Sequence, residues 1–260
     1  MHKPACQNWL LLRGLARESA HWGDFIPSLQ TAFPTANIHT LDLPGTGEFF
    51  KIQSPKTITG ILEFVHHQAR QRGLLQQPLS LLALSLGGMV SWEWMLKHPD
   101  EIAGAVIVNT SLASLSPFYQ RLRWQTYLQF AGLVLERDIC RREQAIIKLI
   151  CNQRQHNAKT TAEWIAIQNL RPVNSINSLR QIMAAATYRP APVKPGQPIL
   201  LINSRHDRLV SACCSAAIAE KHGLEMITHP WGGHDLALDD GSWLMEQLKA
   251  WSERENLFAQ

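Results

Sequence analysis

Leu79 to Leu84 is an apolar run with no alternation, and it stops at Ser85, where Leu86-Gly87-Gly88 opens a helical pattern. A strand that is apolar at every position must be covered on both faces, the condition met inside a parallel sheet between two layers of helices. The flanking segments agree with that requirement. Trp9 to Leu12 and Ile38 to Leu43 read as strands before it, Ile102 to Val108 and Ile199 to Asn203 as strands after it, and Glu225 to His229 as a weaker one. Helical patterns separate them: Ile58, Ile61, Leu62, Val65 and Ala69 share one face up to Arg72, and Gly73 ends that helix. Gly87 to His98 is a second helix, closed by Pro99, and the last runs from about Ser242 to Glu255. Such alternation predicts an α/β fold with a mostly parallel central sheet flanked by helices.

The alternation stops between Asn109 and Gln197. From Phe118 to Thr187 the chain reads as helices only, and the exit holds Pro190, Pro192, Pro195, Gly196 and Pro198, a linker by composition. A helical insertion is therefore expected over 112–190, within a core made of 1–111 and 191–260. Charge marks the same boundary. The insertion has eleven Lys and Arg against four Asp and Glu, a net of +7, whereas the rest of the chain carries −3.

Several classes are excluded. With 260 residues the chain is long enough to bury a substantial core of its own. The longest nearly apolar stretch, Leu79 to Val90, has 12 residues, and a membrane span needs about 20. Trp9 to Leu12 is too short for the apolar part of a secretory signal, so a cytoplasmic location is expected. Cys6, Cys140, Cys151, Cys213 and Cys214 are odd in number and scattered, which suits reduced thiols. No Cys/His grouping has zinc spacing, and no metal is expected. The overall charge of +4 invites a nucleic-acid reading, but no recognised module is present. Aromatic–basic interleaving is confined to Arg121-Leu122-Arg123-Trp124.

The chemistry is expected at the carboxyl edge of the sheet. Ser85 follows an apolar strand, precedes a helix, and has small residues two before and two after it, Ala83 and Gly87. A sharp strand–turn–helix corner needs small neighbours, lifts the hydroxyl out of the sheet and sets it at a helix N-terminus. The plain alternative is a serine that only caps the helix. Asp207 lies just past the strand Ile199 to Asn203, where a turn or N-cap aspartate is equally ordinary. His234 sits in the glycine-rich Trp231-Gly232-Gly233-His234-Asp235 loop after the last strand. Together these give nucleophile, acid and base in chain order, each at a strand's carboxyl end, where open α/β sheets place their sites. Backbone N–H groups for an oxyanion are expected from Leu86 and from Leu15, in the loop after the first strand.

At these residues the chain resembles the α/β-hydrolase superfamily. The pieces that match are the strand followed by Arg13-Gly14, Trp22 downstream, Asp42-Leu43-Pro44-Gly45-Thr46-Gly47, the Ser85 corner, Asp207, His234 and the inserted helical cap. It is most similar to the small cofactor-free esterases and C–C hydrolases of that group, including the carrier-protein methyl esterases of biotin synthesis. The resemblance implies a serine hydrolase acting on an ester or thioester of a small to medium acyl substrate, with no cofactor. Ser85 would attack the acyl carbonyl, His234 would move its proton, and Asp207 would hold the imidazole tautomer. A C–C hydrolase or lyase on the same scaffold, or a ligand-binding homologue without turnover, are the alternatives. Two departures stand out: Arg13-Gly14 where the family usually has His-Gly, and Ala83 where it usually has Gly. The two strands that commonly lead the family's sheet are also expected to be missing.

Other residues have a role assigned by position. Arg13 is a candidate substrate-binding residue for an anionic group, with alternatives as a brace for the oxyanion loop or a solvent-facing side chain. Trp124 and Tyr127, with Phe130 and Leu133, form a stripe that either lines a substrate pocket or packs the cap onto the core. Asp42 is expected to brace a loop, and His206, Asp235, Asp239 and Asp240 are rivals to His234 and Asp207. Arg121, Arg123, Arg137, Arg141 and Arg142 make the cap basic. That charge is either an ordinary solvated face or a surface for an acidic carrier protein or an anionic substrate. Neither a nucleic-acid nor a membrane partner is expected.

Overall fold

In the computed structural model, which describes residues 8–153 and 157–257, the apolar runs become the strands of one sheet. The chain runs β1 (Asn8–Leu12), α1 (Phe25–Ala32), β2 (Asn37–Leu41), α2 (Ile58–Gln71), β3 (Leu79–Leu84), α3 (Leu86–Lys97) and β4 (Ile102–Val108). Helices α4 (Phe118–Arg121), α5 (Tyr127–Leu135), α6 (Ile139–Ile150), α7 (Asn157–Leu170) and α8 (Ser175–Thr187) follow without an intervening strand among the described residues. The chain then returns through β5 (Ile199–Ser204), α9 (Ala212–His222), β6 (Glu225–His229), α10 (Leu236–Asp239) and α11 (Gly241–Arg254). Cys6 lies outside the described residues, and Cys140, Cys151, Cys213 and Cys214 are free thiols.

The sheet has the order β2-β1-β3-β4-β5-β6 and every pairing is parallel. Successive side chains of a strand point to opposite faces, so an all-apolar strand feeds two cores at once. Leu10, Leu12, Leu81, Ala83 and Ile107 join one cluster with α2 and α3. Trp9, Leu11, Leu82, Leu84, Val106 and Val108 join the other with α1 and α11, where Trp9 and Trp251 meet at 6.3 Å. The outer strands β2 and β6 are only partly covered, which explains their weaker signal. β2 ends two residues short of the expected Leu43 because the chain turns at Asp42, whose carboxylate accepts from the Ser19 N–H at 2.6 Å and the Glu48 N–H at 3.0 Å.

The direction of winding reverses between β1 and β3. An open parallel sheet leaves a crevice at such a point, beyond the carboxyl ends of the strands. The loops after β1 and β3 border that crevice, and α5 to α8 lie over it. No described helix is long and apolar enough to cross a membrane.

Candidate active site

Ser85 sits at the junction of β3 and α3 with φ 57° and ψ −113°, a left-handed backbone that a serine adopts only when its surroundings impose it. Its N–H donates to Val108 O at 2.8 Å, and its carbonyl accepts from the Gly88 N–H at 2.9 Å and Thr110 Oγ1 at 2.9 Å. The side chain makes no capping hydrogen bond, so the helix-cap alternative does not apply. The glycines behind it are obligatory. A Cβ on Gly87 would lie 2.7 Å from both Leu12 O and Arg13 O, and one on Gly88 would lie 2.6 Å from Ile107 Cγ2.

The loop after β1 presses against this corner: a Cβ on Gly14 would be 3.2 Å from Ser85 Cβ and 3.8 Å from its Oγ. Leu15 and Leu86 line one hollow together with Ser85. The N–H groups of Leu15 and Leu86 donate to no protein acceptor among the described residues. The next N–H, that of Ala16 (φ 53°), donates to Gln181 Oε1 of α8 at 2.9 Å, and Gln181 Nε2 donates to Pro44 O at 3.1 Å.

His234 and Asp207 come together across the ends of β5 and β6. His234 Nδ1 is 2.7 Å from Asp207 Oδ2, with both side chains buried. The other oxygen, Oδ1, accepts from the N–H groups of Leu209 at 2.7 Å and Val210 at 2.9 Å. One carboxylate therefore serves both sequence readings, bracing its own turn and orienting the imidazole. Ser85 Oγ makes no hydrogen bond to His234 among the described residues.

The rival acids are occupied elsewhere. His206 is exposed. Asp239 accepts from Cys151 Sγ at 2.8 Å and from the N–H groups of Asn152, Gln153 and Gly233, tying the histidine loop to the end of α6. Asp240 meets His229 Nε2 at 3.2 Å and caps α11 through the Trp243 N–H. Asp235 is paired with Arg13.

Arg13, a candidate for an anionic group or for a brace of the loop after β1, lines the cleft beside His234; it is 2% exposed, ion-paired with Asp235 and stacked 4.7 Å over the Trp22 ring. With its charge already met, it braces the loop after β1 against the loop that carries His234. Trp124 is 62% exposed and Tyr127 packs beside Phe118; neither lines the hollow at Ser85 or the larger cleft beside His234, whereas Phe130 and Leu133 line that cleft. Of the five cap arginines, only Arg137 and Arg141 are exposed. Arg121 is buried and donates to the carbonyls of Ala185 and Ala186, Arg123 donates to Asp207 O at 2.8 Å, and Arg142 lines the cleft.

That cleft encloses about 950 Å³, its open mouth included, between the loop after β1, α5 to α8 and His234. The hollow at Ser85, about 590 Å³, shares the wall residues Leu15, Phe130, Ile182 and Leu209 with it. Sequence reading missed Asn109, which has φ 50° and is buried after β4. Its Nδ2 donates to His234 O at 2.9 Å, Gly233 O at 3.2 Å and Ser204 Oγ at 3.1 Å, and its Oδ1 accepts from the Ser204 N–H. It missed His21 as well. Burial, then Arg17 and then Arg13 hold that imidazole well below its ordinary pKa, neutral beneath the Trp164 ring at 4.9 Å.

Away from this edge, His66, His98 and Glu101 bring potential metal-ligand atoms within 4.8 Å of one another. They lie at the opposite, amino end of β4, and no sequence spacing announces them.

The model of the alpha/beta hydrolase fold family matches residues 10–239. Over 183 residues the chain is 24% identical to a pimeloyl-[acyl-carrier protein] methyl ester esterase of Edwardsiella ictaluri, a match spanning 70% of this chain and 60% of that relative. It is 26% identical over 240 residues to RutD of Cronobacter turicensis, whose name proposes a carbamate hydrolase, spanning 89% and 85% of the two chains. The crystal structure of the enol-lactonase from Burkholderia xenovorans has the same fold, with TM-score 0.76, 14% identity and coverage of 97% of this chain and 94% of that one. A parallel sheet of this order, wound to a crevice beside a strained serine and matched over most of its length, means that the chain belongs to the alpha/beta hydrolase fold family.

Proposed function

We propose that the protein is a serine hydrolase that cleaves an ester or thioester of a small to medium acyl group through an acyl-enzyme. The observation that carries this reading is the buried 2.7 Å contact between His234 Nδ1 and Asp207 Oδ2, beside a serine held in a left-handed corner. That contact leaves His234 Nε2 as the basic nitrogen. His234 takes the Ser85 proton as Oγ forms a bond to the acyl carbonyl carbon, and returns it to the departing alcohol or thiol. The tetrahedral oxyanion lies against the N–H groups of Leu15 and Leu86, at the start of α3, where the helix dipole adds to them. Water, deprotonated by the same imidazole, then attacks the acyl carbon and frees Ser85.

The names borne by the relatives are consistent with acyl chemistry of this class. A carrier-borne acyl group would be met by the two exposed cap arginines, Arg137 and Arg141, rather than by all five. The test is turnover of a library of aryl esters and thioesters by the wild type, Ser85→Ala and Asp207→Asn. Loss of all turnover in Ser85→Ala, and a fall in kcat of about 10⁴-fold in Asp207→Asn, is the expected result. Retained activity in pure, folded Ser85→Ala overturns the reading.

A further inference from the structure

Ala16 has φ 53°, a left-handed backbone that residues with a Cβ rarely adopt. It sits in a tight turn closed by the Arg17 N–H on Gly14 O at 3.3 Å, and a turn residue of positive φ is ordinarily glycine. Asn109, with a similar backbone, is held by its own side-chain amide. Ala16 has no polar side chain, and its hold comes from the cap. Its N–H donates to Gln181 Oε1 at 2.9 Å, and Gln181 Nε2 donates to Pro44 O at 3.1 Å.

Gln181 is fully buried and lines neither the cleft nor the hollow at Ser85, so it acts on a substrate only through the loop. The helix that carries it is pinned to the core beside it. Asn177 Oδ1 accepts from the Ser54 N–H at 2.9 Å, Asn177 Nδ2 donates to Ile52 O at 3.0 Å, and Arg180 Nε donates to Ser54 O. Asn177 and Gln181 are one turn apart and share a face, so the acceptor offered to Ala16 is held in place. The Ala16 N–H and the Leu15 carbonyl belong to one rigid peptide plane, and bonding the first fixes the orientation of Leu15. Leu15 is the residue whose own N–H faces the oxyanion in the reading above.

We infer that Gln181 is a positioning residue: from the cap, it holds Ala16 left-handed and keeps the Leu15 N–H aimed at the oxyanion. The inference rests on the serine hydrolase reading. A glutamine that only tied cap to core would change stability, whereas an oxyanion donor is felt in the transition state and so in kcat. Turnover of p-nitrophenyl butyrate is compared in wild type, Gln181→Met, Ala16→Gly and the double variant, with thermal unfolding of each. Inhibition by an alkyl trifluoromethyl ketone, whose adduct with Ser85 carries an oxyanion, is measured alongside. Gln181→Met is expected to lower kcat by about 10- to 100-fold, short of losing an oxyanion donor outright, with KM within about threefold. Inhibition by the ketone weakens by a similar factor. Glycine takes positive φ freely, so adding Ala16→Gly to Gln181→Met restores kcat at least about fivefold, a gain it does not give in wild type. Gln181→Glu, which keeps the acceptor, loses no more than about threefold and decides the matter where Gln181→Met fails to fold. Unchanged kcat in folded Gln181→Met, a loss confined to KM, a loss that Ala16→Gly leaves in place, or a larger fall in Gln181→Glu overturns the inference alone. A wild type that turns over no ester overturns the hydrolase reading, and this inference with it.

Discussion

Asn109 takes no part in the proposed chemistry, yet three loop ends meet on its side chain. It bonds the end of β5 and the carbonyls of Gly233 and His234 from a backbone at φ 50° that asparagine tolerates better than most residues. Asn109→Ala is expected to cost about 2–3 kcal/mol in chemical denaturation and to lower kcat. Asn109→Gly loses the same bonds without the left-handed penalty, and should be about 1 kcal/mol less damaging than Asn109→Ala. Equal stability of the two would show that the backbone is not strained there. Arg13 allows a second test. Removing one partner of a buried pair strands the other charge, so Arg13→Met should cost about 3–5 kcal/mol. Arg13→Met combined with Asp235→Leu should recover part of that loss, measured as a double-mutant cycle. Neither residue's partner was legible in the sequence. Arg13 and Asp235 are 222 positions apart, and nothing in the local pattern joins them.

Among the elements, β1, β3, β4 and β5 were legible because each feeds two cores and so lacks alternation. The corner at Ser85 was legible because its close backbone approach demands small residues on both sides. Gly87→Ala tests that demand. The added methyl meets two carbonyl oxygens at 2.7 Å, both on backbone that cannot swing away. A loss of about 1–3 kcal/mol is expected, together with reduced turnover from a displaced Leu86 N–H. Full stability in that variant, read by thermal unfolding, would mean that the corner relaxes freely. The cap helices were less legible for a physical reason. α5 is apolar on both sides, with Phe130 and Leu133 toward the cleft and Leu128 and Leu135 exposed, so spacing alone could not say that Trp124 and Tyr127 face away. The cap's charge misled similarly. Arg121 and Arg142 reach inward to carbonyl and amide oxygens instead of outward to solvent.

For the molecule as a whole, the loop after β1 joins core and cap. Ala16 bonds to Gln181 of α8, Arg17 pairs with Glu143 of α6, and Glu18 pairs with Arg171 just beyond α7. His21, at the end of this loop, gives the assembly a pH signature. Folded His21 resists protonation, whereas the unfolded imidazole titrates near 6.5, so below that pH the unfolded chain binds a proton the folded chain does not. Stability should therefore fall as pH drops from 7 toward 5, by up to about 1.4 kcal/mol per pH unit from this residue. His21→Gln should flatten the slope of melting temperature against pH, and an unchanged slope would show that His21 protonates freely in the folded state. The central claim, that Ser85 is an activated nucleophile, is tested most directly by intact-mass labelling with a fluorophosphonate. A single phosphonyl adduct is expected on wild type, none on Ser85→Ala and a much slower one on His234→Ala. A well-folded wild type that takes up no label, or a Ser85→Ala protein that labels as fast as wild type, would contradict it.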